Sequence, residues 1–200
     1  KNDLDMARFV YLKAKGQVDG GQNNASIRCN LGRVLYLQGE SAQAERELLE
    51  AYTLDTKYFS TLVYLSEIHF DNRAYQKAVP LLEEARSQQP EHHGVAMNLG
   101  LAYRGSERFA DAKRLYEDAI RIDQTNSDPY LNLGILFGDY LKQYDESIDA
   151  FNTYISMGGT RKQDAIAYVA KVEKERQRAS KKKAQDAERK RREEERAERE

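Results

Sequence analysis

The chain is predicted to fold as an all-α stack of helical hairpins, and three observations predict it. The tripeptide Asn-Leu-Gly occurs at Asn30-Leu31-Gly32, again 68 residues later at Asn98-Leu99-Gly100, and 34 residues after that at Asn132-Leu133-Gly134. Large and small residues recur in register with it. Turn residues fall at matching places between them. A fixed step of 34 residues is the period of a two-helix unit repeated along a chain.

The step missing from the tripeptide series reads Tyr64-Leu65-Ser66, which keeps the Leu and a small residue. With repeats starting at 25, 59, 93 and 127, the seventh position holds Leu31, Leu65, Leu99 and Leu133. The eighth holds Gly32, Ser66, Gly100 and Gly134, and the eleventh holds Leu35, His69, Tyr103 and Phe137. The twentieth holds Ala44, Ala78, Ala112 and, after one inserted residue near Tyr140, Ser147. The twenty-fourth holds Leu48, Leu82, Tyr116 and Phe151; the twenty-seventh holds Ala51, Ala85, Ala119 and Tyr154. Large residues three and four apart form one face of a helix. Small residues at the eighth and twentieth positions let two helices approach closely. Neither helix of such a hairpin buries its apolar face alone, so neighbouring hairpins stack.

The turns agree. Gln38-Gly39-Glu40-Ser41, Asp71-Asn72-Arg73, Gly105-Ser106-Glu107 and Tyr140-Leu141-Lys142 separate the helices of each pair, with Ser41 expected as an N-cap. Asp55-Thr56, Gln89-Pro90 and Asp123-Gln124 separate the repeats. Pro90 marks a helix stop. Pro129 lies in a first turn, where a missing N–H costs nothing. Pro80 falls several residues into a helix, and a mild bend is expected there. Gly158-Gly159 ends a helix, and Thr160 is expected to cap the next.

The predicted organisation is a partial repeat and loop over 1–24, then four repeats over 25–58, 59–92, 93–126 and 127–158. A capping helix follows over 159–172 and a charged helical tail over 173–200. Residues 3–15 copy the spacing of a second helix through Ala7, Tyr11 and Ala14. Ile166, Val169, Ala170 and Val172 are expected to cap the last repeat. The chain begins at Lys1 without a Met, which reads as a fragment or a processed product, and the open N-terminal end is a candidate surface for self-association.

These columns resemble the tetratricopeptide repeat family, whose helix-turn-helix pattern has a Leu-Gly pair, a following aromatic, a small-large-small triplet and a Pro. His93–Asn126 matches best, through Leu99, Gly100, Tyr103, Ala112, Tyr116 and Ala119. No Trp stands in the fourth column, and Ser147 and Tyr154 depart from the pattern in the last repeat. The resemblance implies a right-handed α-α superhelix whose first helices line an inner groove, and an adaptor that grips a peptide or helix there. It does not name the guest.

On the first helices the groove-facing set comprises Asn30, Arg33, Tyr36 and Leu37; Tyr64, Glu67 and Phe70; Met97, Asn98, Leu101 and Arg104; and Leu131, Asn132 and Ile135. Asn within a helix is about 0.5 kcal/mol worse than Ala, yet three of four repeats place one at the same position. An amide carries donors and an acceptor on a short arm. It can grip the N–H and C=O of a guest backbone, or it can bond within the array and bridge adjacent first helices. A carboxylate clamp of the co-chaperone kind is disfavoured, because Cys29, Glu67, Gly94 and Ile135 stand where Lys or Asn would be wanted.

Charged residues make up 32% of the 200 residues and hydrophobic ones 40%, so the core is modest and the surface heavily charged. From Lys171 to Glu200 there are 13 Lys or Arg and 9 Asp or Glu, a tail of +4 within a chain of net −1. The tail has no apolar stripe. Opposite charges fall at i,i+4, as in Glu188–Arg192 and Glu195–Arg199, which suits a solvated helix. Lys181-Lys182-Lys183 and Arg189-Lys190-Arg191-Arg192 also offer nucleic acid or an acidic membrane a basic surface, though interleaved Glu and the lack of aromatics weigh against nucleic acid.

No run approaches the roughly 18 apolar residues of a membrane span, and no signal peptide is visible. The single cysteine, Cys29, excludes an internal disulfide framework and leaves the redox compartment open. His92-His93 sits at a turn and is expected at the surface, His69 takes a packing column, and no nucleophile–base set or phosphate loop stands out. No cofactor or metal is expected. The functional expectation is a non-catalytic scaffold that holds a protein or peptide partner within a multiprotein complex, in style a bacterial envelope-associated adaptor, periplasmic or cytoplasmic. The alternative is a nucleic-acid- or membrane-associated helper that uses the basic tail.

Overall fold

The computed structural model describes residues 2–17 and 20–197, which form helices and turns. The chain divides into two compact units, Lys1–Ile122 and Asp123–Glu200. The first holds α1 (Asn2–Gln17), a 3-10 turn (Gly21–Asn23), α2 (Ala25–Leu37), α3 (Ser41–Leu54), α4 (Phe59–Asp71), α5 (Tyr75–Gln88), α6 (His93–Gly105) and α7 (Phe109–Ile122). Each of its helices packs on the next in sequence. The second unit holds α8 (Asp128–Ile135), a π-helical turn (Leu136–Leu141), α9 (Tyr144–Ser156) and α10 (Lys162–Ala197).

The small residue at the eighth position meets the large one at the twenty-fourth. A Cβ on Gly32 would lie 2.7 Å from Leu48 Cγ, on Gly100 2.6 Å from Tyr116 Cε1, and on Gly134 2.8 Å from Phe151 Cδ1. Ser66 occupies this column in the second hairpin, is buried, and turns its hydroxyl to the Val63 carbonyl at 2.6 Å. The alanines of the twentieth column, Ala44, Ala78 and Ala112, are fully buried. Close helix approach and a continuous core thus come from the same two columns.

One residue per hairpin reverses the chain in the left-handed region: Gly39 (φ 83°), Arg73 (φ 54°), Glu107 (φ 61°) and Lys142 (φ 57°). The next N–H reaches five residues back, from Glu40 to the Leu35 carbonyl (2.9 Å), Ala74 to His69 (2.7 Å) and Arg108 to Tyr103 (2.8 Å). This closure satisfies carbonyls that a helix end leaves open. In the last hairpin Gln143 reaches six back, to Phe137 at 2.9 Å. The inserted residue is absorbed by the wider π-helical turn.

Several local expectations change. Glu40, not Ser41, takes the N-cap position of α3, and Ser41 is its first helical residue. Thr160 does not cap α10. Arg161 does: its carbonyl accepts from Ala165 N at 3.0 Å, and its own N–H donates to Tyr154 Oη at 2.8 Å. Ser147 and Tyr154 fit the last hairpin rather than weakening it. Both are fully buried, and the Ser147 hydroxyl donates to the Gly134 carbonyl at 2.7 Å. Helix α5 runs unbroken through Pro80, and Pro129 lies in the first turn of α8.

The cap and the tail are one helix, α10. Ala165 and Val172 are buried against Leu131, Phe151 and Tyr154, with Tyr168 and Val169 packed beside them. Tyr168 stacks on Phe151 at 5.3 Å between ring centroids. Ile166 and Ala170, expected in the cap, face outward instead. At the other end, α1 packs on α2. Glu47 of α3, 5% exposed, anchors that junction by accepting from Lys15 (2.5 Å) and Arg28 (2.9 Å). Of the tail pairs read from sequence, Glu188–Arg192 forms at 2.6 Å. Arg199 lies outside the described residues, and Glu195 pairs with Arg191.

Two variants test this geometry. Gly100→Ala should lower unfolding stability by about 1–3 kcal/mol, because the new methyl meets a fully buried ring that has nowhere to move. Glu107→Gly should raise it by about 0.5–1 kcal/mol, since glycine removes the left-handed strain but gains freedom when unfolded. Urea titration of each variant reads both.

Candidate partner-binding face

Register carries the candidate residues onto equivalent positions of α2, α4 and α6 in the first unit. The sixth position of each repeat gives Asn30, Tyr64 and Asn98, all half-buried. The ninth gives Arg33, exposed, with Glu67 and Leu101, half-buried. The twelfth gives Tyr36, Phe70 and Arg104, also half-buried. Leu37, at the thirteenth, is 55% exposed.

Side chains of α2 and α4 meet across this face. The Arg33 guanidinium lies over the Tyr64 ring, 5.7 Å from its centroid, within cation–π range. The Tyr36 hydroxyl donates to Asp71 Oδ2 at 2.9 Å. Burial, then that hydrogen bond and the charges of Asp71 and Glu67, push the Tyr36 phenol up to about 12. Burial, and then the charge of Asp71, hold the Glu67 carboxyl above the usual carboxylate range. Glu67 forms no ion pair with any described residue. It stands one turn before Asp71, the last residue of α4, close to the end where the helix dipole disfavours negative charge. This corner therefore lacks a cation.

Two of the three asparagines are tied back on their own helices. Asn30 Nδ2 donates to the Ser26 carbonyl at 2.9 Å, and Asn132 Nδ2 to the Asp128 carbonyl at 3.1 Å. Both bonds run four residues back, a local bond that short polar side chains make within helices. Asn30 Oδ1 keeps its acceptor capacity, and the Asn98 amide makes no hydrogen bond to a described residue. No bridge between first helices forms through Asn30 or Asn98.

Other members of the set stand differently. Met97 is 9% exposed and Leu131 is 7% exposed, so both are core residues behind the face. Phe70 packs its ring on Tyr75 at 6.1 Å. In the second unit Ile135 packs on the cluster around Leu131 and Phe151, beside half-buried Asn132. The sequence marks Asp71 only as a turn residue. Its thirteenth-position register, 34 residues after Leu37, is the signal that places it on the face.

The residues with chemical potential are engaged structurally. Cys29 is 1% exposed, and burial pushes its thiol up. His69 packs at 9% exposure, and burial lowers its imidazole. His92 is the N-cap of α6, its Nδ1 accepting from Val95 N at 3.2 Å. Among the described residues no three His, Cys, Asp or Glu side chains are grouped to hold a metal ion. No described helix is long and apolar enough to cross a membrane.

Residues 69–134 match the family model described as tetratricopeptide repeat. That match covers about a third of the chain. A curated relative, the BBSome complex member BBS4 of Bos taurus, is 29% identical over 123 residues, which is 58% of this chain. The match spans about a quarter of that relative's length, 24%. Among solved structures, YrrB, described as a tetratricopeptide repeat protein with an unusual peptide-binding site, matches with TM-score 0.73 at 14% identity, over 86% of this chain and 84% of its own. A crystal structure of MamA matches with TM-score 0.70 at 22% identity, over 81% and 92%. MamA from Desulfovibrio magneticus RS-1 matches with TM-score 0.62 at 17% identity, over 82% and 98%. These structural likenesses concern the fold, an all-α tetratricopeptide solenoid.

The acidic corner on these repeats has a pH signature. A carboxyl whose folded value is raised opposes folding while it is ionised. That penalty is present at neutral pH and fades as pH falls through the raised value toward the unfolded one. Glu67→Gln should therefore raise unfolding stability at pH 7, by less than about 1 kcal/mol because the group is half exposed, and Tm with it. The gap between variant and parent should close as pH falls toward about 4. Thermal melts followed by circular dichroism check this.

Proposed function

We propose that the chain is a non-catalytic interaction scaffold that holds an extended peptide or a helix of a protein partner along the first-helix face of α2, α4 and α6. The observation that carries the reading is a line of unspent recognition groups at the sixth and ninth positions of one face. Asn30 keeps a free amide oxygen, Asn98 keeps its whole amide, and Glu67 lies between them in the ninth column without a cation. Asn30 and Asn98 bond a guest backbone, Tyr64 and Leu101 offer apolar contact, and Leu37 extends the contact at the end of α2. Arg33 and Arg104 provide positive charge nearby. Glu67 and Asp71 select a Lys or Arg of the guest, since a cation there relieves two acids at a helix C-terminus.

In the second unit, Asn132 and Ile135 supply the same kind of contact on α8. Met97 and Leu131 shape the face from beneath. The peptide-binding site for which the YrrB structure is described, and the membership of a complex in the name of the bovine relative, support a scaffold that works inside a multiprotein assembly. An adaptor in the bacterial envelope is the setting proposed for it.

Peptides selected on the full chain from a random 12-residue library test the proposal. They should be enriched in Lys or Arg at one position. Asn98→Ala should weaken them about fivefold, the worth of one hydrogen bond, without lowering Tm. Glu67→Gln should weaken those that carry the basic residue by a similar factor. Fluorescence anisotropy reads the affinities. Selected peptides that bind the Asn30→Ala/Asn98→Ala/Glu67→Gln variant as tightly as the parent would overturn the assignment.

A further inference from the structure

One face of α10 is a basic stripe with no acid on it. At about 100° per residue, Lys174, Arg178, Lys181, Lys182, Arg189 and Arg192 fall within one face about 100° wide along the helix, with Gln185 among them. All are exposed. Between 174 and 192 the helix carries ten Lys or Arg and three Asp or Glu. Glu175, Asp186 and Glu193 lie along one flank of the stripe. Glu188 borders the other and pairs with Arg192 at 2.6 Å. The face that packs on α9 is turned well away: it carries Ala165, Tyr168, Val169 and Val172, and Arg176, which reaches Asp145 at 2.5 Å. Lys174, Arg178, Lys181 and Lys182 make no ion pair with a described residue.

Self-stabilisation of a solvated helix does not account for this arrangement. The pairs Arg189–Glu193, Lys190–Glu194 and Arg191–Glu195 each put the base N-terminal to the acid, the weaker orientation. The run Glu193-Glu194-Glu195 lies near the C-terminal end, where the helix dipole disfavours acids. The charges are segregated by face rather than placed to strengthen the helix.

We propose that this stripe adsorbs α10 lengthwise onto an anionic lipid leaflet. From 174 to 192 it runs roughly 27 Å. A flat surface meets the centre of the stripe, and the flanking acids curve away from it with the helix surface. A nucleic-acid groove encloses a helix and would bring phosphates against the flanking Glu175, Asp186 and Glu193. A protein surface needs a preformed acidic row in register, and the stripe has no apolar or aromatic side chain to fix a register. A fluid leaflet supplies anions at whatever spacing the cations present. With no apolar residue to insert, the adsorption is shallow, reversible and salt-sensitive.

The test is co-sedimentation of the full chain with phosphatidylcholine vesicles, with and without about a third phosphatidylserine, at low and high salt. Each stripe cation is worth about fivefold in partition onto such a surface. The triple variant Arg178→Gln/Lys181→Gln/Lys182→Gln should bind about 100-fold more weakly. The control Lys183→Gln/Lys190→Gln/Arg191→Gln removes equal charge from the other faces and should change binding by less than fivefold. Helix content, read by circular dichroism, should be kept in both. Equal losses for the two variants, equal binding to neutral vesicles, or tighter binding to duplex DNA at the same ionic strength would each overturn the proposal.

Discussion

Everything in this molecule hangs on a close approach inside each hairpin. Gly32, Gly100 and Gly134 have no room for a Cβ, because Leu48, Tyr116 and Phe151 already fill that space. The contact sets the distance between the two helices of a pair. It also fixes which faces remain for the next helix, so each helix of the first unit packs on its sequence neighbour. Protein interiors are close-packed and transmit a change of one methyl group. A regular stack therefore needs the same small-against-large pairing at every step. Ser66 shows the tolerance: a hydroxyl fits in the column because it turns to its own helix carbonyl.

The turn is the second constraint and the more costly one. Four hairpins reverse through a left-handed residue, and only the first of these is glycine. Arg73, Glu107 and Lys142 hold a conformation that costs an ordinary residue about 1–2 kcal/mol. The closing hydrogen bonds and the packed helices on both sides hold them there. The inserted residue of the last hairpin is accommodated by the same logic. A wider turn takes the extra residue before the left-handed position, so the small-large contact between Gly134 and Phe151 survives.

The proposed partner-binding face inherits its order from this frame. Because the repeat is strict, residues 34 apart occupy equivalent places, and chemistry varies along a row. The row Arg33, Glu67, Leu101 runs from cation to anion to apolar. The row Asn30, Tyr64, Asn98 alternates amide and aromatic. Such rows suit a guest read in register. The tail is governed differently: α10 leaves the packed part after Val172, and charge alone sorts its faces.

The repeat, the hairpin boundaries, the core columns and the extra residue near Tyr140 were legible in the sequence, because a 34-residue period forces equal environments and leaves equal residues behind. The register of the proposed face follows from the same period. Tertiary structure alone decided what each side chain does there. Met97 and Leu131 share inward register with Asn98 and Asn132 yet are buried, since neighbouring helices cover one edge of each first helix. Asp71 reads as a turn residue until Tyr36, 35 residues earlier, is found bonded to it. Ser147 reads as a defect until the Gly134 carbonyl stands opposite. Periodicity fixes position along a helix, whereas hydrogen-bond partners and burial depend on what the next helix brings alongside.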